Sequence, residues 1–158
     1  MKKNTFFVLL WMLSVPAGLY AQTTLTFANG QKVEITGQLT GTLTTPEDVT
    51  TYYYQLIDNQ LHYWEYSDVK INGEKYAVYK VIDVDKAFVA HQISPKSEEY
   101  PARVDIYCVE GAGDCVKTTN YSNGGSSTSE ENSILLIFDS DEAATEELTK
   151  LKPILKKK

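Results

Sequence analysis

The sequence predicts a mainly β domain of the α+β class: an antiparallel sheet or half-open barrel of about seven strands, capped by one C-terminal helix. Three observations predict it. Apolar and aromatic residues alternate with polar ones in short runs from Thr23 to Phe138. Turn dipeptides punctuate those runs, above all Asn29-Gly30 and Asn72-Gly73. At the end the period changes, because Ala144, Leu148, Leu151 and Leu155 recur at steps of four, three and four, one face of a helix.

The elements follow in order. Met1 to Ala21 read as a signal peptide: Lys2 and Lys3 precede an uncharged apolar run from Phe6 to Leu13, then Pro16, Gly18 and a small residue, Ala21, at the expected cut before Gln22. The run is shorter than the roughly 20 residues a spanning helix needs. No cysteine follows it to be lipidated. The expectation is a periplasmic or secreted protein with no membrane span after signal removal, residues 22–158 forming a single domain. Losing two lysines and no acids takes the formal net charge from −6 to −8. Such a surface repels phosphates, so nucleic acid is excluded as a partner.

Thr23 to Phe27 and Gln31 to Ile35 flank Asn29-Gly30 as a hairpin. Gln38 to Leu43 reads as a short strand, followed by a loop through Asp48. Thr51 to Ile57 and Leu61 to Tyr66 are aromatic-rich strands about the turn Asp58-Asn59-Gln60. Tyr76 to Val84 is expected to point Ala77, Tyr79 and Val81 one way and Tyr76, Val78, Lys80 and Ile82 the other. Phe88 to Ile93 is a further strand, Ser94 to Ala102 a loop. Asn120 to Asn132, rich in Ser, Gly and Glu, reads as a flexible loop. Ser133 to Phe138 is a continuous apolar run and reads as a well-buried strand. Asp139 or Ser140 caps the helix, with Asp141 and Glu142 in its first turn and Pro153 near its end.

Cys108 and Cys115 flank a loop holding Gly111 and Gly113, and the exported compartment favours their pairing across a hairpin. That bond is expected to pin the hairpin and contribute about 2–3 kcal/mol. The spacing is neither that of a redox Cys-x-x-Cys nor, with His62 and His91 far apart, that of a zinc site.

The run Ile106-Tyr-Cys108, Cys115-Val, Ile134 to Phe138 and then Asp141-Glu-Ala-Ala144 before Leu148 and Leu151 resembles the end of pleckstrin-homology-like domains, the exported bacterial ones in particular. The resemblance covers about a third of the chain. It implies a last strand feeding a helix that caps the barrel. That fold hosts many functions, so it implies no activity.

Among functional candidates, Tyr52, Tyr54, Tyr63, Trp64 and Tyr66 would bind a glycan or a peptide if they shared an exposed face. The competing expectation is that alternate aromatics fill the core. Asp139, Asp141 and Glu142 lack the glycine and bidentate glutamate of a calcium loop, and helix capping accounts for them. No catalytic motif, metal site or cofactor fingerprint stands out. The chain reads as a non-enzymatic binding or interaction module with a protein or glycan partner, ahead of a small-ligand carrier barrel and a hydrolase.

Overall fold

The computed structural model describes residues 20–98 and 100–155. The signal-peptide reading and the lysines 156–158 lie largely outside them; the expected cut before Gln22 falls within the first strand. Among the described residues no helix is long and apolar enough to cross a membrane.

Ten strands and one helix follow one another: β1 (Tyr20–Thr26), β2 (Lys32–Thr44), β3 (Asp48–Ile57), β4 (Gln60–Val69), β5 (Lys75–Asp83), β6 (Ala87–Val89), β7 (Ala102–Cys108), β8 (Val116–Ser122), β9 (Gly125–Glu131), β10 (Ser133–Phe138) and α1 (Asp141–Leu151). They form a seven-stranded sheet, ordered β1-β2-β3-β4-β5-β8-β9, and a three-stranded sheet, ordered β10-β7-β6. All pairings are antiparallel. The class matches expectation, mainly β with one C-terminal helix, as open sheets and not a closed barrel.

The large sheet is apolar on both faces. Successive side chains alternate, so neighbours on β3 to β5 serve two cores. Tyr52, Tyr54, Leu61, Tyr63 and Ile82 point to an inner face, where they meet Val104, Ile106, Ile134, Leu136 and Phe138 of the small sheet and Ala144, Leu148, Leu151 and Leu155 of the helical end. Trp64 and Ala77, flanked by Tyr53, Tyr66, Tyr79 and Tyr121, point to the opposite face, where Leu25, Phe27, Val33 and Ile35 of the β1–β2 hairpin cover them. The predicted alternation along β5 holds in this way, with Ala77 and Ile82 buried on opposite sides.

A long, bent β2 makes the second core. The sequence suggests two short strands here; the structure has one strand of 13 residues with a register shift between Leu39 and Gly41. Gly37 sits at φ +134, and a Cβ there would lie 2.6 Å from the Tyr54 carbonyl oxygen. Only glycine fits that close approach. The hairpin it directs inward is closed at its tip by Phe27 N–H donating to Gln31 O at 2.9 Å, with Gly30 at φ +82. Ala28 N–H reaches Asn123 Oδ1 at 3.1 Å, tying this tip to the β8–β9 turn.

The helix caps the inner core as its leucine spacing required. Ser140 is the N-cap, its hydroxyl accepting from Ala143 N–H at 3.2 Å. Asp139 instead accepts from Thr42 N–H at 2.9 Å, fastening the end of β10 to β2. Glu147, buried on the helix, accepts a hydrogen bond from the Tyr54 hydroxyl, and Lys150 Nζ lies 3.2 Å from its other oxygen. The helix is thereby tied to the sheet by a polar contact inside an apolar interface, where losing one partner is costly.

Four further expectations are corrected. Cys108 and Cys115 are bonded, with Cα atoms 5.8 Å apart, but they do not close a hairpin. Cys108 ends β7 of the small sheet and Cys115 precedes β8 of the large one, so the bond staples the two sheets. The stretch Asn120 to Asn132 is not a loop: it holds the end of β8, a tight turn and β9, because backbone pairing with β8 orders residues that have no apolar pattern. Ser133 to Phe138 is a strand, but an alternating one: Ile134, Leu136 and Phe138 are buried while Leu135 is exposed, since the other face of the small sheet is only partly covered. The strand foreseen over Phe88 to Ile93 is shorter, ending at Val89, with an isolated bridge from Ser94 to Arg103.

Two outcomes test this architecture by denaturant unfolding. Leu148→Asp places an unpaired charge in the inner core and is expected to cost about 4 kcal/mol or more. Gly37→Ala forces a side chain against the Tyr54 backbone and is expected to cost about 2–4 kcal/mol, with the emission of Trp64 shifting as its hairpin cover loosens.

Candidate functional site

The aromatic candidates are placed by the two cores. Tyr52, Tyr54, Tyr63 and Trp64 are all buried, and Tyr66 is half-buried with its hydroxyl 3.5 Å from Asp68 Oδ2. Tyr52 and Tyr63 stack at 6.5 Å on the inner face, and Trp64 packs 4.4 Å from Tyr79 on the other. The five do not share an exposed face; they do the packing that alternation allowed. Burial pushes the Tyr52 hydroxyl up to about 12, with Glu65 and Asp48 adding to the effect.

The histidines stay apart. His62 Nδ1 lies 2.5 Å from the Tyr79 hydroxyl and its ring stacks on that tyrosine at 5.9 Å. Burial lowers its pKa, with Asp58 opposing the effect. His91 is exposed. Asp141, weighed as a calcium ligand with Asp139, accepts from Lys96 N–H at 2.6 Å.

What remains open is an edge. Of the four strands that end a sheet, β6 has three residues, and β10 runs against β2 where Gly41 backs onto Phe138 and Asp139. Strand β1 continues from residues outside the described set. Strand β9 differs from these. Its seven residues, Gly-Ser-Ser-Thr-Ser-Glu-Glu, are half-buried at the two ends and exposed in between. It carries no proline, lysine or bulge of the kind that blunts an edge, and its two charges, Glu130 and Glu131, are confined to one end.

Which backbone groups face outward follows from the ladder. Asp58 and Asn59, both at positive φ, form a two-residue turn, so Ile57 and Gln60 are a hydrogen-bonded pair. Alternation without a register shift through β4, β5 and β8 then assigns Ser127, Ser129 and Glu131 to bonds with β8. Ser126, Thr128 and Glu130 turn their N–H and C=O groups away from the sheet.

Three clefts border this edge in sequence. One of about 400 Å³ lies at its start, between Tyr76, Val78, Asn120 and Ser127. A second, of about 410 Å³, follows along Lys117, Thr119, Thr128 and Glu130. The third, of about 480 Å³, reaches from Glu130 to the cysteine loop, with Glu110, Asp114, Lys86 and Lys117 on its walls. The disulfide fixes that loop beside β9. At the far end Lys80 of β5 bridges β8 to pair with Glu131 at 2.6 Å, holding β9 in place. The composition of β9 hid the edge from sequence reasoning; the one usable signal was Asn123-Gly124 between two hydroxyl-rich runs of equal length.

On the inner face, in the middle of the large sheet, Glu65 stands opposite Tyr52. Burial raises its pKa, and Lys80 offsets that only in part. A carboxyl whose folded pKa is raised contributes stability in acid that is lost as pH rises through the folded value. Glu65→Gln is therefore expected to raise the thermal midpoint at pH 7, and the gain is expected to vanish as the pH approaches 4.

No protein-family model matches the chain, and neither does any curated protein or solved structure.

Proposed function

We propose that this chain is an exported, non-enzymatic interaction module that binds a protein partner by adding the partner's extended segment to the edge of β9. The observation that carries the reading is that edge: Ser126, Thr128 and Glu130 present backbone donors and acceptors outward, in an exposed strand bordered by clefts. Strand addition gains affinity from main-chain hydrogen bonds and specificity from pockets for alternate side chains. Of the two partner classes foreseen, protein suits this geometry better than glycan, because the candidate aromatics are packed away. The signal-peptide reading and the inter-sheet disulfide support an oxidising, extracytoplasmic location. The likeness to pleckstrin-homology-like domains has one supporting element, the helix that follows the last strand and seats in the core, and it assigns no activity.

Proline is the discriminating substitution. At Thr128 it removes an outward N–H and leaves the bonds to β8 untouched, so Thr128→Pro is expected to change stability by less than about 1 kcal/mol. At Ser127 it removes a ladder bond and is expected to cost about 3 kcal/mol. With a photo-crosslinker at Ser126 in the native exported fraction, the reading expects adducts that map to an extended segment of another protein and disappear in the Thr128→Pro background. Adducts that persist in that background would contradict it.

A further inference from the structure

Strand β9 offers no apolar side chain of its own, so pairing with a second copy would bury only hydroxyls and carboxylates. Six backbone hydrogen bonds at about 1 kcal/mol each barely meet the cost of association. Affinity must come from side chains that the partner brings to the clefts, and the clefts differ in chemistry. At the Ser127 end the walls are the half-exposed Tyr76 ring and Val78 of β5 and Asn120 of β8, and the small Ser127 stands on the same inner face. At the Glu130 end the walls are Glu110, Asp114 and Glu130 against Lys86 and Lys117. Lys86 is engaged by Asp83 at 2.8 Å, and Lys117 stands directly opposite Glu130, so Glu110 and Asp114 are the surplus charges.

Resting on the docking edge proposed above, we infer that the partner segment carries a lysine or arginine three residues before an aromatic or large apolar residue, and pairs antiparallel to β9. Antiparallel pairing is the more stable per residue and is used by every other pair in both sheets. It sets the N-terminal part of the incoming segment beside Glu130 and its later part beside Ser127. The three-residue spacing between those positions is odd, so the two side chains fall on opposite faces. The face assignment agrees: Ser127 shares the inner face with Tyr76 and Val78, while Glu130 shares the other with Lys117 and Val81. The net negative charge also steers a basic segment toward the domain.

The test uses the purified oxidised domain and two fluorescein-labelled peptides of alternating threonine and valine, followed by anisotropy. One carries lysine three residues before tyrosine; the other has the two exchanged. The first is expected to bind about tenfold more tightly, and the preference is expected to shrink severalfold in Glu110→Lys/Asp114→Lys. Equal binding, or tighter binding of the exchanged peptide, overturns the inference. If both peptides bind equally and Thr128→Pro abolishes both, the edge stands and the motif falls. If binding survives Thr128→Pro, or neither peptide binds at millimolar concentration, the edge reading falls with it.

Discussion

Strands β3, β4 and β5 are aromatic on both faces, and that constraint organises everything else in the molecule. Tyr52, Tyr54 and Tyr63 must be covered on one side, and Trp64 with Tyr79 on the other. A single sheet cannot do both. The chain answers with two separate covers: the β1–β2 hairpin, folded back through the corner at Gly37, and the small sheet with its helix, stapled by Cys108–Cys115. Each buried apolar side chain contributes roughly 1.5–3 kcal/mol, so either cover is worth more than the polar ties that locate it. The Tyr54–Glu147 bond and the Asp139 contact to Thr42 set where the covers sit rather than whether they form.

Two covers over one sheet leave its far edge exposed. The hairpin tip reaches the β8–β9 turn through Ala28 and Asn123, but there the sheet stops short of closing into a barrel. The edge that results is polar, rigidly backed by β8 and anchored at its end by Lys80–Glu131. An edge of this kind is hydrophilic enough to stay free and regular enough to accept a strand. Fold and proposed function thus have a common origin in the incomplete closure of the large sheet.

Much of this architecture is legible in the residues. Asn29-Gly30 marks a hairpin because its glycine takes positive φ, and the stripe Ala144, Leu148, Leu151, Leu155 marks the capping helix because only a helical period puts those residues on one face. The rest was hidden for physical reasons. Strand β9 is ordered by the backbone of β8 and not by side chains, so Ser126 to Ser129 carry no apolar period to read. Cys108 and Cys115 lie close in sequence, which says that they can bond but not that their strands belong to different sheets. Tyr52 and Tyr53 alternate as neighbours on a strand must, but only the tertiary structure shows that both faces are covered and so serve separate cores. The open edge of β9 lies in the stretch that most resembles a loop in the sequence.

Residue-resolved amide hydrogen exchange on the free, oxidised domain tests the open edge most directly. The architecture requires an alternating pattern along β9: slow exchange at Ser127, Ser129 and Glu131, whose amides bond to β8, and fast exchange at Ser126, Thr128 and Glu130, whose amides face solvent. Protection at Thr128 in the free protein, or uniformly fast exchange from Gly125 to Glu131, would contradict it.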